Sequence, residues 1–280
     1  MSETLFHGFF DDAAIFPPGL APLEEAVRDH IRRSQDPVAD AFIGPLILPV
    51  EKVDEAVALA GTHTIGFSVT APAAELAEVT ALMERLRAQA PNATVVALEA
   101  KVGDDVAAGI TAVAAFAAAH ADVETFVELP YTAVTDEHLS VLAAAGLSLK
   151  FRTGGIRQEL FPTPEQVVVV IAMARRHGLR FKLTAGLHRA MRYADATTGF
   201  RHFGFLNIAA ATAALHEGSD VADALRLLNS DDSATVARTV ADHPGWRESF
   251  HSFGTCSIAE PAETLTALGM LDRDTSSHFH

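Results

Sequence analysis

One cysteine in 280 residues, Cys256, excludes an internal disulfide. Basic residues are scarce. The chain has 21 Lys and Arg against 36 Asp and Glu, a formal net charge of -15. With no basic cluster to neutralise phosphates, a nucleic-acid partner is not expected. Long uncharged apolar runs are absent, and Met1-Ser2-Glu3 opens no signal-peptide pattern, so the expectation is a cytoplasmic protein without a membrane span. No Gly-rich dinucleotide fingerprint or P-loop follows any apolar run. Gly154-Gly155 lacks the remaining glycines and the later acidic partner, which argues against a nicotinamide cofactor or a nucleoside triphosphate. There are 13 histidines but no His-Glu-x-x-His spacing, and the His278/His280 pair lies on an expected tail, so no metal is expected.

What is present is apolar material in a regular order. Hydrophobic residues make up 49% of the chain, enough to bury a large core. Apolar, β-branched or aromatic runs recur at Ala13–Phe16, Phe42–Val50, Thr64–Val69, Thr94–Ala100, Glu124–Leu129, Leu147–Arg152, Arg180–Thr184 and His251–Cys256, and read as eight parallel strands. Between them, residues such as Leu76, Val79, Met83 and Leu86 repeat at helical spacing. Thr163-Pro164-Glu165-Gln166 reads as a capping-box helix start, and Gly178 as the stop. The alternation predicts a single (β/α)8 TIM barrel over residues 1–280, with a helical insertion at 190–249, between the seventh and eighth strands, forming a lid or an added face. An open doubly wound sheet is the competing architecture.

In such a barrel the C-terminal strand ends carry the chemistry. Lys150 and Arg152 share one face of the sixth strand, as Lys182 and Thr184 do on the seventh, because side chains alternate. A lysine inside an apolar strand is costly unless paired. One explanation is a buried ion pair with Glu99 or Glu128. The other is catalytic: two inward ammonium groups with Arg152 beside them would repel and lower a lysine pKa, giving a neutral amine able to form a Schiff base. Glu99 or Glu128 would then move protons. His188, just past the seventh strand, is an acid–base candidate, and His202 a substrate-binding one. With Asp11 or Asp12 these histidines also offer a divalent-ion alternative. Cys256 reads as a small buried residue or, less favourably, a nucleophile.

The stretch from Val127 to Leu187 resembles the second half of deoxyribose-phosphate aldolases and related class I aldolases. Their Lys-x-Ser/Thr-Thr-Gly strand corresponds to Lys150-Phe151-Arg152-Thr153-Gly154. Their Thr-Pro-Glu helix start corresponds to Thr163-Pro164-Glu165, and their Lys-x-x-Gly-Gly-Ile/Val-Arg strand to Lys182 through His188. Phe253-Gly254-Thr255-Cys256-Ser257 resembles their phosphate-binding turn. The resemblance implies that Lys150 forms the Schiff base, that Lys182 tunes it, and that Gly254, Thr255 and Ser257 hold an anion. The sequence departs from that pattern: Arg152 replaces a small residue, His188 an arginine and Ala185-Gly186 a glycine pair, the insertion before the eighth strand has no counterpart, and the fourth-strand aspartate has no equivalent, Glu99 being the candidate substitute. The Asp12–Pro18 opening and the Lys150–Gly155 and Thr184–His188 blocks are also similar to an uncharacterised bacterial protein family, from which no function follows.

The expectation is therefore a lyase or aldolase acting on a small anionic oxo-substrate, phosphate or carboxylate, through a lysine imine, without a cofactor and compatible with a homo-oligomer. The alternatives are an acid–base isomerase or hydrolase, with or without a metal, in the same barrel mouth, and a non-catalytic anion-binding barrel.

Overall fold

The computed structural model describes residues 3–279. Met1, Ser2 and His280, and with them part of the leader-sequence and His278/His280 readings, lie outside the described residues. Seven parallel strands come first: β1 (Phe10–Asp12), β2 (Ile43–Pro49), β3 (Ile65–Pro72), β4 (Ala93–Lys101), β5 (Glu124–Glu128), β6 (Ser148–Arg152) and β7 (Phe181–Thr184). A short antiparallel hairpin follows, β8 (Tyr193–Ala194) with β9 (Arg201–His202), and then the last barrel strand, β10 (Phe250–Thr255). The barrel closes in the order β1-β10-β7-β6-β5-β4-β3-β2. This is the expected (β/α)8 barrel.

The first strand differs from expectation. Ala13–Phe16, read as the strand from its apolar content, is a turn, and the strand is Phe10–Asp12. Sequence pattern disfavours two adjacent aspartates in a strand, but both are compensated here. Asp11 points into the barrel, toward Lys182 and Ser252. Asp12 points outward, where Arg33 Nη2 donates to it at 2.6 Å and His30 Nδ1 lies at 3.2 Å.

The helix start at Thr163 is a true capping box: Thr163 Oγ1 accepts from Gln166 N–H, and Gln166 Oε1 accepts from Thr163 N–H at 2.8 Å. Gly178 follows in the left-handed region, φ 65°, where a side chain would strain the backbone. Between β7 and β10 lie the hairpin and four helices. The first, Phe205–His216, is buried from Phe205 through Leu215, and its run of alanines lets neighbours approach closely. Val221–Leu228, Ser233–Asp242 and Trp246–Ser249 pack over it. None of the residues 190–249 lines the barrel-mouth cavity.

At the other end His278 Nδ1 lies 2.6 Å from Asp36, so the expected mobile tail is docked at that residue. Among the described residues no helix is long and apolar enough to cross a membrane.

Beneath the sheet, toward the helices after β7, Phe9 is fully buried in an aromatic cluster, 4.9 Å from Phe250, 5.2 Å from Phe253 and 5.3 Å from Trp246 between ring centroids. Phe9→Ala is expected to cost about 3–5 kcal/mol, read as a shift of the denaturant midpoint. A loss under about 1 kcal/mol would contradict this packing.

Candidate active site

Parity along the strands builds the site. On β6, Ser148, Lys150 and Arg152 face inward while Leu149 and Phe151 face the helices; on β7, Lys182 and Thr184 face inward. Lys150 stands beside Lys182 in register on one side and beside Glu128 of β5 on the other. Glu99 rises from β4 and Asp11 from β1. The space for Asp11 comes from Gly44 on β2, where a Cβ would overlap the Asp11 carboxylate.

These side chains form one buried network. Lys150 Nζ lies 2.7 Å from Glu99 Oε2 and 2.8 Å from Glu128 Oε2. Lys182 Nζ lies 2.5 Å from Glu99 Oε1 and 2.8 Å from Asp11 Oδ2. Ser68 donates to Glu99 Oε1 at 2.6 Å and Ser252 to Asp11 Oδ2 at 2.5 Å. Lys150 is 4% exposed and Lys182 1%. Both oxygens of Glu99 are therefore engaged, each by a different lysine.

This overturns one expectation. The two ammonium groups were expected to repel and lower a lysine pKa, but carboxylates stand between them. Burial pushes both lysines down, yet Glu99 and Glu128 around Lys150, and Asp11 and Glu99 around Lys182, outweigh it and raise both above their ordinary 10.5. The same exchange holds Glu99 well below its ordinary 4.5: burial alone would raise it, and the charges and hydrogen bonds of Lys150 and Lys182 reverse that. Glu128 is also lowered, against burial, chiefly by Lys150. The ion-pair explanation thus describes the resting state.

A cavity of about 690 Å³ opens at the C-terminal ends of the strands. Lys150, Glu99, Glu128, Arg152, Thr184, His188 and Gly254 line it; Lys182 does not. Lys182 lies below, its Nζ 5.4 Å from the centre of the Phe126 ring. His188 turns Nδ1 toward Cys256 Sγ at 3.6 Å and Glu260 Oε2 at 3.7 Å. Burial lowers its pKa despite Glu260, so the imidazole is neutral near pH 7. Cys256 also lines the cavity, but burial raises its thiol pKa, which disfavours a thiolate nucleophile.

Three expected binding residues fall elsewhere. Thr255 faces outward by parity with Gly254, and its hydroxyl donates to Ser257 O at 2.9 Å. Ser257 Oγ accepts from Glu260 N–H at 3.3 Å, at the start of the last barrel helix. His202 stacks on Tyr193 at 4.8 Å, with Nδ1 3.0 Å from Gly186 O, away from the cavity wall. The divalent-ion alternative also loses its geometry: Asp11 is held by Lys182, Asp12 faces outward, and no group of three or more His, Cys, Asp or Glu side chains suited to a metal occurs among the described residues.

No family model and no curated protein matches the sequence. Solved structures do. The tetrameric deoxyribose phosphate aldolase from Aeropyrum pernix aligns with a TM-score of 0.56 over 95% of this chain and 93% of that one, at 16% identity. An aldolase designated QR15 aligns with a TM-score of 0.51 over 95% of this chain and 97% of that one, at 11% identity. The chain has an aldolase-like (β/α)8 barrel. At these identities the likeness establishes the fold, while the reaction must be argued from the site.

In this aldolase-like barrel, sequence reasoning missed Asp11 as a lysine partner, along with Ser68, Ser252 and the cavity-lining Lys101. For Asp11 the signal was the Phe9-Phe10-Asp11-Asp12 junction; for Lys101 it was parity with Glu99.

Because Glu99 serves two buried cations, Glu99→Gln is expected to cost about 3–5 kcal/mol at pH 7. A depressed carboxyl stabilises above its unfolded pKa and loses that contribution as pH falls. The gap between wild type and variant should therefore narrow below pH 4.5, the ordinary value for glutamate. Equal denaturant midpoints at pH 7 would contradict the shared-anion geometry.

Proposed function

We propose that this protein is an aldolase-type lyase that binds a small anionic oxo-substrate as a Schiff base on Lys150. The observation carrying the reading is an asymmetry: both lysines sit in the network, but only Lys150 lines the cavity. Two carboxylate contacts leave one of its three ammonium hydrogens uncommitted. Lys182, engaged by Asp11 and Glu99 beneath the cavity, positions Glu99 and holds local charge balance.

Glu128, 2.8 Å from Lys150, is the nearest cavity-lining proton acceptor apart from Glu99. Transfer of one proton to Glu128 frees the Nζ lone pair. The C–N bond forms as the carbonyl π pair moves onto oxygen, which is protonated and leaves as water, giving the iminium. The iminium then accepts the electron pair of the adjacent breaking C–C bond, while the hydroxyl proton of the departing aldehyde passes to a carboxylate. Water attack on the iminium, after protonation of the enamine carbon, releases product and restores Lys150. Neutral His188, which lines the cavity, is the proposed acid–base group. The tetrameric neighbour supports a homo-oligomer, and the composition a cytoplasmic setting.

The raised lysine pKa values favour a second reading, in which both lysines stay cationic and stabilise an enolate or oxyanion in an acid–base isomerase or hydrolase.

Borohydride reduction in the presence of carbonyl compounds separates the two. The imine reading expects a stable adduct on Lys150, lost in Lys150→Met, with capture rising through the alkaline range because a lysine with a raised pKa is less than about one part in a thousand neutral at pH 7. No adduct across aldehydes, ketones and 2-oxo acids would leave the cationic reading standing.

A further inference from the structure

We infer that Arg152 and Lys101 form a carboxylate clamp beside Lys150, and that the substrate is a 2-oxo acid, its carboxylate directly attached to the carbonyl carbon. The inference rests on the Lys150 imine reading and adds the substrate class. Both cations line the cavity, at the ends of β6 and β4, and flank Glu128 of β5, which is in register with Lys101 on one side and Lys150 on the other.

Lys101 has no ion pair or hydrogen bond through its side chain among the described residues. Arg152 has only an outlying ion pair, at 4.0 Å to Glu128 Oε1, and one long hydrogen bond, 3.4 Å to Gly154 O. Its side chain is 40% exposed, so the guanidinium is open to a ligand. Glu128 is committed through its other oxygen to Lys150.

The spacing suits a carboxylate one bond from the imine carbon. Lys150 Nζ and Arg152 Nη2 approach the two oxygens of one carboxylate, Glu128, at 2.8 and 4.0 Å, so a short anion bonded to Lys150 lies within reach of the guanidinium. A planar guanidinium matches a carboxylate through two parallel hydrogen bonds. The hydroxyls of Thr255 and Ser257, on the other side of the mouth, are occupied by their own backbone and lie outside the cavity wall.

The cavity is also polarised. Glu51 and Glu75, following β2 and β3, add negative charge to the cavity wall on the side away from β6, and Lys101, in register with Pro72 of β3, borders that side. That wall repels an anion and accepts hydrogen bonds from hydroxyls, which sets the carboxylate toward Arg152 and any hydroxylated tail toward Thr70.

Calorimetric titration with oxamate tests the clamp without requiring an imine, since oxamate carries the carboxylate beside an unreactive amide carbonyl. Acetamide and inorganic phosphate are the controls. Oxamate is expected to bind at least about tenfold tighter than either, and Arg152→Gln and Lys101→Gln each to weaken it about tenfold. In borohydride capture, the preference for pyruvate over acetaldehyde should fall by the same order in both variants. Lys101 is exposed at the rim, so its variant remains informative if Arg152→Gln fails to fold.

The clamp is overturned if oxamate binds no tighter than acetamide, if phosphate binds more tightly, or if neither substitution weakens oxamate. Oxamate binding without any borohydride adduct would sink the imine and leave the carboxylate site standing. Adducts with acetaldehyde but not pyruvate would do the reverse.

Discussion

The Glu99 carboxylate, shared between Lys150 and Lys182, is the interaction on which the rest of the site depends. Two ammonium groups side by side in register on adjacent strands repel strongly in a low-dielectric interior, and one anion between them turns that repulsion into attraction. Asp11 and Glu128 complete the balance at either end, and Ser68 and Ser252 fix the carboxylates by donating to them. The barrel interior is consequently polar at the level where Phe126 gives way to charge, and the strands there are held by ion pairs as well as by backbone ladders.

The network also divides the labour of the lysines. Depth separates them: Lys182 is below the cavity and Lys150 at its wall. A lysine held as a cation by two carboxylates stays unreactive until a proton moves, and the acceptors for that proton are already in contact. On the proposed imine reading, the arrangement stores Lys150 in protonated form until a carbonyl arrives. Around it the cavity presents the cations Arg152 and Lys101, a neutral imidazole at His188 and the carboxylates of Glu51 and Glu75.

Much of this was legible in the sequence, for reasons that follow from period. Parallel strands buried on both faces give continuous apolar runs, and an inward lysine interrupts such a run conspicuously, which is why Lys150 and Lys182 stood out. The same parity placed Arg152 and Thr184 on the inner face, and it placed Thr255 on the outer one, where motif resemblance alone had put it in the site. Asp11 was read as a possible metal ligand and not as a lysine partner, because its partners lie on β7 and β10, more than a hundred residues away. The lysine pKa direction was misjudged for a related reason: sequence shows which cations are adjacent but not which anions reach between them.

The central claim is that two cationic lysines share one carboxylate and that only Lys150 is open to a carbonyl ligand. Nitrogen-detected NMR of protein labelled with ¹⁵N-lysine measures this directly. The account predicts two slowly exchanging, protonated Nζ signals at neutral pH assigned to Lys150 and Lys182, with the Lys150 signal alone converted to an imine-type resonance on adding pyruvate. A neutral, rapidly exchanging Lys150 in the free protein, or conversion of Lys182 in its place, would contradict it.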